Sequence, residues 1–355
     1  MQFDLYRLNI PLMRPYRLSF GPVNHYDTLL VRCHLDGNQG WGEATLLTGY
    51  TDETIEGSWQ KAVQLTASLS GRTAEDGRRH LLGLQGKHPF TATAFCTAIE
   101  MAQGSPLLNP QRDLQVPILG LLNSSETPAI EAEIEQLLSE GYRTVKVKVG
   151  FDPVGDALRV GRIQRVANGR VRIRLDANQG YSAEQAREFL SKLKPDDIEL
   201  FEQPCAAGDW AAHRLATAAS PVPVMLDESI YSEADIDRVA NEHAAQYVKV
   251  KLMKFVSLER LAQAIEHIRG LDMTPVLGNG VASDIGCWME ACVAAHHIDN
   301  AGEMNGFLKP AHGLLRRRLR FENGCIHIPA GWKPEPDQTL IDSFKVAEVC
   351  ATHAS

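Results

Sequence analysis

The sequence contains no apolar run approaching the roughly 18 residues that a membrane-spanning helix requires. Its seven cysteines are odd in number and scattered, and no C-x-x-C pair among them points to zinc or a redox couple, so they read as reduced thiols. Basic residues are not in excess: 36 Lys and Arg against 44 Asp and Glu give a formal net charge of -8 and a pI near 5.9. That balance argues against a broad phosphate-binding surface, so nucleic acid is not an expected partner. Residues 1–7 carry an early acid and lack the apolar core of a secretory signal. Long linkers, low-complexity tracts and close repeats are also missing. The expectation is a cytoplasmic protein that meets a small molecule rather than a membrane or a nucleic acid.

What the chain does have is length and rhythm. Its 355 residues, 44% hydrophobic and 23% charged, exceed what one small domain needs. Residues 26–35 alternate apolar and polar positions, a turn follows at Asp36-Gly37-Asn38, and Trp41-Gly42-Glu43-Ala44 resumes the strand pattern, predicting an antiparallel meander. From Thr54 to about Gly104 the apolar period becomes helical. Strands followed by helices make an α+β cap over residues 1–114. From Leu114-Gln115-Val116-Pro117 onward, short apolar strands alternate with helices, which implies a parallel barrel or an open doubly wound sheet over 115–312. The Gly-rich phosphate turn usual in the doubly wound alternative is absent. After Gly313 the cadence breaks, and residues 313–355 are expected to return to the cap.

Chemistry rides on this cadence. Lys148, Asp176, Glu202, Asp227 and Lys251 follow one another at intervals of 28, 26, 25 and 24 residues, close to the ~30 of a βαβ unit. Successive strand residues face opposite ways, so Lys146 and Lys148 share a face, as do Arg174, Asp176 and Asn178, and again Lys249 and Lys251. Charges on the inner face of a buried strand are costly unless paired or metal-bound, and Asp176, Glu202 and Asp227 are hard oxygen donors suited to Mg²⁺. A lysine near its ordinary pKa is a poor base, but neighbouring cations such as Lys146 and Lys249, together with burial, would press Lys148 and Lys251 toward the neutral amine.

Lys146-Val147-Lys148, Asp176-Ala177-Asn178, Phe201-Glu202-Gln203-Pro204, Leu226-Asp227-Glu228-Ser229 and Lys251-Leu252-Met253-Lys254 occur in this order. In that combination the sequence resembles the enolase superfamily, specifically its muconate-lactonizing-enzyme subgroup, over essentially the whole chain. The resemblance implies a modified TIM-type (β/α) barrel, hence an α/β fold, capped by an α+β domain built from the N-terminal region and the C-terminal tail. It also implies an active site at the C-terminal strand ends. It assigns Asp176, Glu202 and Asp227 to Mg²⁺, with Mn²⁺ as an alternative, Lys148 and Lys251 to opposite faces of a substrate α-carbon, and Lys146 to the neighbourhood of the substrate carboxylate. A Lys or His base with Mg²⁺ is the general pattern for this superfamily. The activity implied is a racemase or epimerase acting through an enediolate on an amino acid derivative or dipeptide, with a cycloisomerase, a dehydratase or o-succinylbenzoate-synthase-like lyase, or a noncatalytic binding protein as alternatives. A homo-oligomer is implied as well.

Some positions depart from the subgroup. Phe255-Val256-Ser257 stands where a Gly-Gly pair is frequent, and Lys249 where a small or amide residue is frequent. Lys249 reads either as a structural partner of Asp227 or Glu228 or as a substrate contact. In Gly302-Glu303-Met304-Asn305-Gly306, Glu303 matches in charge the Asp-x-Asp pair with which dipeptide epimerases hold a substrate ammonium, whereas Asn305 does not. The Gly-rich segment 277–284, including Asn279, reads either as a plain turn or as a helix N-terminus able to receive a substrate anion. Asn178, Glu303, Asn305, Asn279, Tyr50 and Phe20 are the expected substrate contacts beside Lys146, with Arg17 and His25 as further candidates on the two cap loops.

Overall fold

A computed structural model describes residues 1–18, 21–47 and 51–351, so Phe20 and Tyr50 lie outside the described residues. The meander is present as β1 (Gln2–Leu18), β2 (Gly21–Leu35) and β3 (Asn38–Leu46), paired antiparallel. Three helices follow, α1 (Ile55–Leu69), α2 (Ala74–Leu82) and α3 (Pro89–Ala102). Thr54 and Thr73 cap the first two with side-chain oxygens. Strand β3 lies directly on α3: a Cβ at Gly42 would come within 2.2 Å of the Ala94 carbonyl, so only glycine permits this approach.

The second half counts in βα units. After β4 (Leu114–Pro117), the parallel sheet holds β5 (Gly120–Leu122), β6 (Thr144–Lys148), β7 (Arg172–Asp176), β8 (Ile198–Glu202), β9 (Val224–Leu226), β10 (Tyr247–Val250) and β11 (Thr274–Leu277), in sequence order. Helices α4 (Thr127–Ser139), α5 (Pro153–Ala167), α6 (Ala183–Lys192), α7 (Trp210–Ala219), α8 (Glu233–Glu242), the short α9 (Leu252–Phe255), α10 (Leu258–Gly270) and α11 (Asp284–His297) form the crossovers and the outer layer. The curled sheet closes through residues 301–303. Gly302 exchanges backbone hydrogen bonds with Pro117 and Leu119 on one side, and Glu303 N–H donates to Leu277 on the other. Buried Arg174 braces this closure, forking onto Glu199 and donating to the Ala301 carbonyl.

The tail divides between two sheets. β12 (Arg320–Glu322) and β13 (Cys325–Ile328) pair with β4, whereas only β14 (Lys345–Val349), after α12 (Gln338–Phe344), joins the cap sheet beside β1. The strand at 325–328 therefore belongs to a separate three-stranded sheet with β4 rather than to the cap sheet, which the chain rejoins later at β14. No helix among the described residues is long and apolar enough to cross a membrane.

Cap and barrel are joined by carboxylates set at helix starts. Glu43 on β3 accepts from the Ser283 and Gly286 N–H groups and the Ser283 hydroxyl at the start of α11, and Glu100 on α3 accepts from Leu258 and Glu259 N–H at the start of α10. Burial raises both carboxyls from 4.5 to about 7, against the lowering effect of these hydrogen bonds. A carboxyl raised in the folded state holds its proton longer than in the unfolded chain, so its contribution is full below about pH 4.5 and is lost as pH rises toward 7. Thermal melts should therefore show Glu43→Gln flattening the fall in stability between pH 5 and 7.5, by up to roughly 3 kcal/mol across that window. A wild-type and variant difference that stays constant with pH would refute the linkage.

Candidate active site

The sheet order places the chemistry. The last residues of β7 and β8, Asp176 and Glu202, and Asp227 just beyond β9 bring three carboxylates onto adjacent strand ends, and Lys148 on β6 and Lys251 just beyond β10 flank them. All three carboxylates are nearly inaccessible. Below them Leu200, Met225 and Val276 form a dry plug in the barrel. Above them opens a cavity of about 920 Å³ lined by Lys146, Lys148, Asp176, Asp227, Lys249 and Lys251, among others.

Buried ammonium groups neutralise the carboxylates. Lys146 Nζ lies 2.7 Å from Asp176, 2.8 Å from Glu202 and 2.6 Å from Glu303. Lys249 Nζ lies 3.0 Å from Glu202, 3.6 Å from Asp227 and in contact with Glu303. Both lysines thus span the lumen from β8 to the closing segment. Asp227 also receives Lys251 at 2.7 Å and Lys254 at 3.1 Å. Burial works against ionisation, yet the lysines outweigh it and hold Asp176 at about 2 and Asp227 and Glu303 far below the carboxylate range. Glu202 goes the other way, to about 7, because burial and the Asp176 charge prevail.

Lys148 differs from expectation. Burial does press toward the neutral amine, but the Asp176 carboxylate 2.7 Å away prevails over it and over Lys146, so its pKa is raised. Lys254 is the lysine that burial depresses, to about 8, and it packs over the Tyr231 ring. Asn178, in a left-handed conformation at φ 41, accepts from Lys148 through its side chain and donates to Glu228 at 3.0 Å.

Other expected contacts fall in several places. Glu303 and Asn305 line the cavity, as does Asn279, whose amide donates to Glu290. The α11 N-terminus is not open to a substrate anion: Glu43 fills it. Exposed His25 pairs with Asp27 at 3.5 Å and is not part of the cavity wall. Tyr16, Glu228 and Lys254 line the cavity without having been assigned there from sequence. Lys249 pairs with Asp227, as one reading held, but its closer partners are Glu202 and Glu303.

The donor chemistry fits a divalent cation. Hard carboxylate oxygens crowd one layer: Glu202 Oε2 has only the Lys146 ammonium 2.8 Å away as a partner, and Glu228 Oε2 is buried without a hydrogen-bond partner. Among the described residues no three acidic, His or Cys side chains are already gathered around one point, because lysines stand between them. Asp176, Glu202 and Asp227 are the residues that would hold the ion.

Removing one lysine from this lattice leaves buried charge uncompensated. Lys249→Met should destabilise the protein by about 3 kcal/mol in urea titrations, and the added change Glu303→Gln should restore part of the loss. Equal stability of wild type and Lys249→Met would show that the lattice does not hold Glu303 charged.

Comparison with known proteins agrees with this arrangement. The model of enolase C-terminal domain-like proteins matches residues 129–334. The chain is 31% identical to the L-Ala-D/L-Glu epimerase of Bacillus subtilis (strain 168), over 72% of this chain and 73% of the relative. It is 27% identical to muconate cycloisomerase 1-2 of Acinetobacter lwoffii, over 91% and 89%. Its fold matches the dipeptide epimerase from Cytophaga hutchinsonii, complexed with Mg and the dipeptide D-Ala-L-Val, with a TM-score of 0.89 at 23% identity and 99% coverage of both chains. On its matched domain, its sequence relatives and its fold, the chain belongs to the enolase C-terminal domain-like family, within the muconate-lactonizing-enzyme subgroup of the enolase superfamily.

Proposed function

We propose that the protein is a metal-dependent racemase or epimerase that removes and returns the proton α to a carboxylate on an amino acid derivative or dipeptide. The observation that carries this reading is the placement of Lys148 and Lys251 on strands flanking the three carboxylate strands, both reaching into one cavity. One lysine, as the free amine, takes the α-proton, and the other, as the ammonium, delivers a proton to the opposite face, inverting the carbon. Lys148 is poised as the acid by Asp176, and Asn178 fixes its position. The enediolate left after proton removal carries one more negative charge than the substrate, and the lysine-lined wall is preorganised to meet it. A divalent cation at Asp176, Glu202 and Asp227 would add positive charge there and relieve the lysines of neutralising those carboxylates.

The epimerase relative supports this reading. A cycloisomerase is the second reading, and one observation favours it: Glu303 is engaged by two lysines instead of facing a substrate ammonium.

Incubation in D₂O with Mg²⁺ and pooled N-acylamino acids, dipeptides and unsaturated dicarboxylates, followed by mass spectrometry and chiral analysis, tests the proposal. One compound should gain about one mass unit and lose optical purity, and EDTA should stop both. Metal-dependent ring closure of an unsaturated dicarboxylate, with deuterium found only in the new C–H bond of the cyclic product, or loss of water without deuterium in recovered substrate, would replace the racemase with the cycloisomerase or a lyase. Lys148→Ala and Lys251→Ala should each lower racemization by roughly 10³-fold with unchanged circular dichroism. Two-way racemization at the wild-type rate by either variant would eliminate the two-base mechanism.

A further inference from the structure

Helix α11 buries a carboxylate in an apolar setting. Glu290 is fully inaccessible, and Cys287, Trp288, Met289, Ala291 and Cys292 around it on the helix are buried as well. Burial pushes its carboxyl up from 4.5 to about 7, against the pull of its hydrogen bonds and of the Lys251 and Lys249 charges. An apolar side chain of similar volume would suit this layer at least as well, since neutral donors offset the desolvation of a carboxylate only in part.

The contacts of Glu290 account for its place. Lys251 has extended backbone and stands at the N-cap of α9, where its side chain supplies no acceptor, so the first N–H of that helix needs one from elsewhere. Glu290 Oε1 provides it, accepting from Leu252 N–H at 3.2 Å. Both Glu290 oxygens also lie 3.2 Å from the side-chain nitrogen of Asn279, just beyond β11, and Asn279 Oδ1 accepts from Val281 N–H at 2.6 Å. One carboxylate thus joins the ends of β10 and β11 from behind, at the residue next to Lys251 and at a residue of the cavity wall. Lys148 stands on β6, on the other side of the three carboxylate strands.

Resting on the reading of Lys251 as one of two bases in a racemase, we propose that Glu290 is a positioning residue for Lys251 alone: through Leu252 and Asn279 it fixes the point from which the Lys251 side chain reaches the substrate's α-carbon. Proton transfer on one face of the substrate depends on it, and transfer on the Lys148 face does not.

In a two-base racemase each lysine exchanges the α-proton of one enantiomer, so isotope uptake from L and D substrate reports the two lysines one at a time. N-acetylamino acids and alanyl dipeptides of both configurations, incubated in D₂O with Mg²⁺, are the probes, and Lys251→Ala identifies the enantiomer that exchanges through Lys251. Glu290→Leu should slow exchange of that enantiomer roughly tenfold or more, in kcat rather than KM, and leave the other within about threefold. Glu290→Gln keeps an oxygen for Leu252 N–H and should recover most of the loss. Equal slowing of both enantiomers, no slowing of either, or Glu290→Gln as impaired as Glu290→Leu would overturn the inference. A second readout needs no substrate: carbamylation by cyanate, mapped by peptide mass spectrometry. Glu290→Leu should raise labelling of Lys251 relative to Lys148 by about threefold or more, because a loosened backbone and the loss of a nearby carboxylate both free that amine. An unchanged ratio would overturn the inference. Raised Lys251 labelling in the variant, with no compound exchanged by the wild type, would remove the racemase reading and keep the positioning role. Exchange of both enantiomers by the wild type, untouched in Glu290→Leu, would do the reverse.

Discussion

The structure depends on keeping a set of opposed charges together in the buried lumen of the barrel. Asp176, Glu202, Asp227 and Glu303 are each nearly inaccessible, as are Lys146, Lys249, Lys251 and Lys254. Hydrophobic residues of similar volume would stabilise a barrel interior at least as well, since desolvation of both partners offsets much of the attraction in a buried ion pair. Stability therefore does not account for the lattice. The proposed reaction does, because a site that stabilises a new negative charge gains from cations already fixed in place before the charge forms.

Such a lattice must be shielded, and the cap provides the cover. Met253 in α9 and Val256 at its end are packed in the apolar cluster of the cap rather than that of the barrel. Val256 takes φ 69, a conformation costly for a β-branched residue, in the stretch where related chains often carry glycines. Its full burial beside α3 residues holds it there. The loop that carries Lys251 and Lys254 is thus anchored in the cap core, and Glu43 and Glu100 tie the same cap to the starts of α11 and α10. Cap position and lysine position are mechanically one problem.

The barrel strands and their chemical residues were legible in sequence because each βα unit ends its strand with one charged residue at nearly constant spacing. A periodic signal survives without tertiary information. Partnership does not: nothing in Lys249 or Glu303 announces that they meet across the lumen. The pKa of Lys148 was misjudged for the same reason. Its neighbours along the strand are cations, but the carboxylate of Asp176 comes from the next strand, in register with it, and proximity across the sheet outweighs proximity along it. The closing segment around Gly302 pairs through a single bridge to β4's end and so has little strand pattern to read. The 325–329 strand showed its type but not its partner, since alternation fixes a face and says nothing of which edge will receive it.

The residues that depart from the subgroup are not scattered. Lys249 on β10, Phe255-Val256-Ser257 shortly after it and Asn305 in the closing segment lie away from β7, β8 and β9, where the carboxylates stand. A change on the carboxylate strands would alter the charge on which proton abstraction depends, whereas a change on the opposite wall alters only what the rest of the substrate meets. Lys249 illustrates the coupling that remains. Because it bonds both Glu202 and Glu303, the cation that engages the closing segment also helps neutralise a carboxylate of the layer below the cavity. Specificity and reactivity are consequently separated by strand but joined through this one ammonium. Any substitution that reopens Glu303 must also supply Glu202 with another counter-charge.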